Sequence, residues 1–310
     1  MKYVWRIVAV TALWCLLVNA AAAERTLIHV VRPGETLASI AERYYGDPKR
    51  ESVLVAENGL TSEGGSSIVV GLRLVVPIVL FHRVEQGESW VDLAERFYGE
   101  ATRAFAVIEA NDGVAGTQPE TGAELIIPYP LRHVTEQSQS LRAVAKLYLD
   151  ETTGMRTLRR FNGLKTARLE RGQILLVPLT DLKLSAQGRE IAEAQGALPS
   201  GHGDIREKQA RIAKRLPELG NLVKSGRFAA AVALGNRLLG RGDLTGTQVV
   251  TIQRELGTAF VAMGEDELAA KAFAAALSEQ PDMELDMART SPRVLAVFDR
   301  ARGKQIKSKH

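Results

Sequence analysis

The stretch RPGETLASIAERYYG at residues 32–46 is written again as EQGESWVDLAERFYG at 85–99, and in a worn form as EQSQSLRAVAKLYLD at 136–150. A period of about fifty residues constrains the fold more than any composition does, because each copy must be one small supersecondary unit repeated along the chain. Counting from His29, His82 and His133 keeps the copies in step. Leu37, Trp90 and Leu141 stand eight residues on, and Ile40, Leu93 and Val144 eleven on. Tyr44, Phe97 and Tyr148 stand fifteen on, and Asn58, Asn111 and Asn162 twenty-nine on. Each copy closes on a glycine, an apolar run and a proline: GLRLVVP at 71–77, GAELIIP at 122–128 and GQILLVP at 172–178.

Each copy reads in the same local order. HVV, HRV and HVT are short and β-branched, as strands are, and the first two lead into Pro-Gly or Gln-Gly turns. Thr36 and Ser89 stand where a helix cap belongs, ahead of apolar residues at helical spacing. Gly46 and Gly99 are placed to end those helices with φ > 0. A second helical stretch follows, KRESVLVAEN or TRAFAVIEAN, and then an apolar strand that proline stops. The pattern predicts strand–helix–helix–strand, with the strands antiparallel and both helices on one face. Tyr44, Phe97 and Tyr148 fall at core spacing. The three histidines lie too far apart to share a metal and are read as structural residues at the strand starts. Asn58, Asn111 and Asn162 are read first as residues that cap or turn the chain after a helix.

At these residues the sequence resembles the LysM module: G-E-T-L-x-x-I-A-E-R-Y-Y-G, an Asn near the end of the second helix, and a final G-x-x-L-x-V-P. The resemblance runs over about residues 28–179 and is closest in the first two copies; the third departs from it at Ser138 and Asp150. It implies a βααβ fold that binds N-acetylglucosamine-containing glycans, chiefly peptidoglycan and chitin, without cleaving them. It also implies a shallow groove between the loop after the first strand and the loop after the second helix. Carried over by position, the first groove uses Gly34, Glu35, Thr36 and Leu37 with Asn58, Gly59 and Leu60. The second uses Gly87, Glu88, Ser89 and Trp90 with Asn111, Asp112 and Gly113. The third uses Ser138, Gln139, Ser140 and Leu141 with Asn162, Gly163 and Leu164. Glycine in such a loop lets backbone approach a ligand closely. Ser138 removes that freedom, so the third copy is expected to bind weakly or act as a spacer. Trp90 fills the slot that Leu holds in the other copies, which favours a place in the core or groove floor over stacking on a sugar. The polar insert TSEGGSSI at 61–68 lengthens the loop beside the first groove.

The remainder of the chain sets the context. Residues 1–23 read as a signal peptide: Lys2 and Arg6, an apolar run, then Ala21-Ala22-Ala23. The only cysteine, Cys15, lies within it, so an exported chain without disulfides or thiol chemistry is expected. Of the formal charge of +4, two charges belong to Lys2 and Arg6, which leaves too little for a nucleic-acid footprint. Residues 181–204 read as a linker. Residues 205–303 read as an all-α region, in which Leu256, Gly257, Phe260, Ala269, Phe273, Ala276 and Pro281 follow the spacing of a tetratricopeptide repeat. Ser291-Pro292 starts a closing helix, and 304–310 is a basic tail expected to be solvated and frayed.

No zinc set, thiol or G-x-S-x-G elbow remains for a wall hydrolase; the number of carboxylates does not exclude a glycosidase, but the helical repeat leaves no long stretch for a catalytic domain. A non-enzyme without cofactors is therefore expected. The expected class is α+β: three tandem βααβ LysM modules, at 24–79, 80–130 and 131–180, followed by a tetratricopeptide-like helical domain. The expected function is that of an exported adaptor, in the periplasm or cell envelope, with no integral membrane span once the signal is removed. It would hold peptidoglycan and recruit a protein partner through its helical end. A secreted binder of chitin oligomers, or an envelope scaffold whose modules contact protein, are the alternatives.

Overall fold

The computed structural model describes residues 26–60, 68–198 and 203–308; the signal segment at 1–23 and most of the insert lie outside them. The strand–helix–helix–strand order appears three times. In the first unit β1 (Leu27–Val30) is followed by α1 (Leu37–Tyr45), α2 (Glu51–Glu57) and β2 (Arg73–Val76). The second has β3 (Leu80–Arg83), α3 (Trp90–Tyr98), α4 (Ala104–Ala110) and β4 (Glu124–Ile127). The third has β5 (Tyr129–Val134), then a two-residue β6 (Gln139–Ser140), α5 (Leu141–Tyr148), α6 (Glu151–Phe161), a two-residue β7 (Arg168–Leu169) and β8 (Ile174–Leu179). First and last strands pair antiparallel in every unit, with His29 opposite Leu74, His82 opposite Leu125 and His133 opposite Leu175.

Local chemistry explains the helix ends. Thr36 and Ser39, like Ser89 and Asp92, form reciprocal capping boxes, and Gly46 and Gly99 take φ of 72° and 67° at the C-caps. In the third unit Asp150 stands where that glycine would be; α5 stops at an extended Leu149, and Asp150 Oδ1 accepts from Thr153 N in the first turn of α6.

The chain divides into two compact units, residues 1–79 with 129–200, and 80–128 with 201–310. In one, the segment expected to be a linker contains a helix, α7 (Ala186–Ala194). Its cap Ser185 donates to Arg43 O at the end of α1, and Gly188 lies so close to Tyr44 that a Cβ would meet Tyr44 O at 2.5 Å. Ala192, Ala197 and Leu198 join the core of Leu27, Ile40, Tyr44 and Leu74. Glycines and small residues made this stretch read as linker; they are what allow the backbone to approach so closely.

In the other unit the second βααβ copy shares its architecture with six helices: α8 (Asp204–Ala213), α9 (Leu216–Lys224), α10 (Phe228–Leu239), α11 (Gly246–Ala262), α12 (Asp266–Glu279) and α13 (Pro292–Ser308). The expected boundary between module and helical region is therefore a packed junction. Glu124 on β4, only 3% exposed, accepts from Arg206 N at 2.8 Å and Gly203 N at 3.3 Å at the start of α8. Gln209 donates to Gly122 O and Asp243 O and accepts from Glu124 N. Farther on, Ala231, Ala269 and Ala276 are fully buried between helices, as their size and spacing suggested. The tail expected to fray continues α13 as far as Ser308.

Candidate functional site

The loop after each first strand is held by the strand's own histidine. In the first unit Pro33 and Gly34 occupy the centre of a turn closed by Glu35 N donating to Arg32 O at 3.2 Å, with Gly34 at φ 81°. The Glu35 carboxylate turns inward: it accepts from His29 Nε2 at 2.7 Å and Arg32 N at 2.8 Å, and it pairs with Arg43. Burial alone would push its pKa up, but the Arg32 amide, His29 and Arg43 outweigh that and hold it at about 2. Tyr44 Oη closes the far side of the imidazole, 3.1 Å from Nδ1. The second unit repeats this with Gln86-Gly87, with His82 Nε2 2.6 Å from Glu88, and with Phe97 packed edge-on against the imidazole.

The asparagine recurring at the end of the second helix is a clamp on the closing strand. Asn58 donates to Leu54 O and Val75 O, and accepts from Val75 N at 2.7 Å. Asn111 does the same with Val107 O, Ile126 O and Ile126 N, and Asn162 with Leu158 O, Leu176 O and Leu176 N.

These contacts show where the residues expected to line the grooves spend their side chains. Asn58, Asn111, Asn162, Glu35, Glu88 and Gln139 use their side chains inside the unit. Leu37 and Leu141 are buried core residues. The hydroxyls of Thr36, Ser89 and Ser140 cap helices. What each unit presents outward is backbone: Gly34 and Gly59, Gly87 and Asp112, Ser138 and Gly163. Gly59, Asp112 and Gly163 all take left-handed φ, of 60°, 53° and 60°, just past the second helix. Leu60, Gly113 and Leu164 follow them, half-buried. The inward pairing of Glu35, Glu88 and Gln139 with the histidines was missed, although their offset of six from each histidine is legible in the sequence.

The second unit places Trp90 beside these loops. Trp90 is 7% exposed, part of the core cluster with Val84, Leu93 and Val107, and a Cβ on Gly113 would meet the indole at 2.9 Å. The Trp90 indole N–H is buried without a hydrogen-bond partner among the described residues. The adjoining loop turns back on itself, Thr117 N to Val114 O, leaving the backbone of residues 87–90 unpaired with it.

The third unit is closed. Ser138 does not take φ > 0, so the tight turn is lost and the chain runs on extended into β6. There it pairs with β7, Gln139 opposite Leu169 and Ser140 opposite Arg168, and Leu141 N donates to Ala167 O at 2.8 Å. The backbone of this loop is thereby paired within the protein. Among the described residues no group of three or more His, Cys, Asp or Glu is placed to hold a metal ion.

His133 in the third unit and Glu35 in the first respond to acid in different windows. His133 has Gln139, not a carboxylate, 2.7 Å from Nε2 and Tyr148 Oη 3.0 Å from Nδ1, and burial pushes its pKa below the ordinary 6.5. The unfolded chain then binds the proton more readily. Neutral His133 carries no penalty above about pH 6.5, and its contribution to the third unit's stability is lost as pH falls through the lower folded value. Glu35 works in a lower window: its contribution is complete above 4.5 and declines as pH falls toward 2. Hydrogen exchange between pH 7.5 and 3.5, corrected for intrinsic rates, is expected to unprotect β5–β8 before β1–β2. The reverse order contradicts the assignment.

Against known proteins, the LysM domain family matches residues 29–77 and 133–178. The second copy is not among the matched residues, although its motif is closer to the first copy than the third copy's is. Esterase MT1326 and Esterase Rv1288, from Mycobacterium tuberculosis strains CDC 1551 / Oshkosh and H37Rv, are each 29% identical over 151 residues. That covers 48% of this chain, and the chain spans about a third (32%) of those relatives' length. No solved structure matches significantly.

Proposed function

We propose that this chain, which carries LysM domains at residues 29–77 and 133–178, is a non-catalytic exported adaptor that holds peptidoglycan and recruits a protein partner through its helical region. One observation carries the glycan part: in the first and second βααβ units a glycine-bearing turn and a left-handed residue after the second helix stand exposed, and the side chains around them are spent on structure. Such a cleft offers backbone N–H and C=O groups with an apolar floor, which suits an N-acetyl group and provides no nucleophile. The second unit is read as a further LysM module on this geometry. The esterase name belongs to relatives of which only about a third is matched, and it is not carried over to this chain.

The helical region supports the recruiting role by its stacked hairpins, in which Gly257 receives Phe273 at tetratricopeptide spacing. Single shallow clefts bind feebly. Two on one polymer raise overall affinity by roughly 10²–10⁴ through effective concentration.

Retention of the chain on purified sacculi and on chitin tests this. A Cβ at Gly34 or Gly87 meets open space, but φ near +80° strains any other residue by about 1–2 kcal/mol and reshapes the turn. Each single Gly→Ala variant is expected to weaken retention on sacculi a few-fold, and the double variant more than ten-fold. Retention on chitin alone would favour a chitin-oligomer binder; retention on neither would favour a protein-contacting scaffold.

A further inference from the structure

The third βααβ copy differs from the others in charge as well as in its closed cleft. Residues 131–180 carry nine Lys and Arg against four Asp and Glu, a net of +5. Residues 80–130 carry three against nine, a net of −6, and residues 24–79 six against seven, a net of −1. Six of the nine cations fall between 156 and 171, and all six are exposed. Arg156, Arg159 and Arg160 share the face of α6 opposite the buried Leu158 and Phe161. Arg159 fastens the following loop alongside that face, Nε donating to Leu164 O at 3.2 Å and Nη2 to Lys165 O at 2.6 Å. Lys165 and Arg168 then lie along the loop, Arg168 directly opposite Ser140 at the sealed cleft, with Arg171 just beyond.

We propose that this strip holds the carboxylates of the peptide stems borne by the wall glycan, so that the third copy reads peptide where the first two read sugar. The proposal rests on the reading of the chain as a peptidoglycan binder. A guanidinium pairs side-on with a carboxylate through two parallel hydrogen bonds. One exposed pair contributes little and is screened by salt, so a row of cations suits a polymer that displays carboxylates at intervals. A neutral amino-sugar polymer offers the row nothing. The second copy, at −6, is unsuited to the same ligand.

The test compares the full chain with the Lys165→Glu/Arg168→Glu/Arg171→Glu variant, folding being verified by circular dichroism. Both are applied to intact sacculi, to sacculi stripped of stems by an amidase, to chitin, and to vesicles containing phosphatidylglycerol. On intact sacculi at low salt the variant is expected to lose about ten-fold in retention, a difference that shrinks as salt is raised. On stripped glycan and chitin the two proteins are expected to behave alike. Equal retention on intact sacculi, or an equal loss on stripped glycan, overturns the proposal while leaving glycan binding intact. Variant-sensitive binding to the vesicles with unchanged retention on sacculi assigns the strip to phosphate headgroups and also overturns it. Failure of the wild-type chain on every glycan overturns the glycan reading and this proposal together.

Discussion

Replacing Asn58 with Asp is expected to open the first βααβ unit while leaving the rest of the chain folded. The amide nitrogen of Asn58 donates to Leu54 O and Val75 O, and its oxygen accepts from Val75 N. An aspartate keeps the acceptor but turns a carboxylate oxygen toward two carbonyls. Two donors vanish, and a charge is set against two partial negative charges at a half-buried site. Lost and unsatisfied hydrogen bonds of this kind cost about 1–3 kcal/mol each, and more with a charge; a total of about 3–5 kcal/mol follows. A unit of about fifty residues buries a thin core, so that loss is comparable with its whole stability. Hydrogen exchange read peptide by peptide is the measurement, because a multi-unit chain has no single unfolding free energy. Protection in 51–57 and 73–76 is expected to fall by about two orders of magnitude or more. Asn111→Asp provides the internal contrast: Arg206 Nη1 lies 2.8 Å from Asn111 Oδ1 and would compensate the new charge. Equal damage at both positions would show that the clamp is not what limits the unit.

The repeat arithmetic carried most of the fold because its elements are locally determined. Thr36, Ser89, Gly46 and Gly99 act on backbone within four residues of themselves, and caps of that kind are written in consecutive positions. Ser138 belongs with them, since the loss of one glycine was readable as the loss of one turn. Its consequence was not, because pairing of β6 with β7 joins positions thirty residues apart. Still longer separations hid the α7 helix, whose packing depends on Gly188 meeting Tyr44, and the Glu124–Arg206 junction between β4 and α8. In the candidate site the family pattern pointed to two loops, and the structure shows that many of their side chains are engaged within the protein. Recurrence marks Asn58 and Glu35 as indispensable without saying for what. The hydrogen bonds answer that, and the outward surface left over is mainly backbone, on which sequence identity has little purchase.

Gly257→Ala is expected to weaken the helical region, against the usual sign for glycine in the middle of a helix. Alanine there ordinarily gains about 1 kcal/mol over glycine. At 257 a Cβ would lie 2.5 Å from Phe273 Cε1 and within 2.8 Å of two further atoms of the same ring. That ring is fully buried and fixed by Phe298, edge to face at 5.4 Å, so it has no direction in which to yield. Forcing a methyl into such a contact costs about 1–3 kcal/mol, and more where the neighbour is rigid, which outweighs the propensity gain. Calorimetry of the full chain should show the helical transition lowered by about 5–10 °C, taking about 4–8 °C per kcal/mol for a region of this size. Gly220, in α9, has nothing within 4 Å of a Cβ, and Ala there is expected to raise the same transition slightly. Gly235 lies between these cases: its Cβ would meet Leu256 Cδ2 at 2.7 Å, the branched end of an aliphatic chain that can rotate away where an aromatic ring cannot. The order Gly220, Gly235, Gly257, from gain to loss, follows from how freely each neighbour moves. If Gly257→Ala proved stabilising, Phe273 would not be seated between α11 and α12 as drawn, and the hairpin packing on which partner recruitment depends would have to be rebuilt from a different contact.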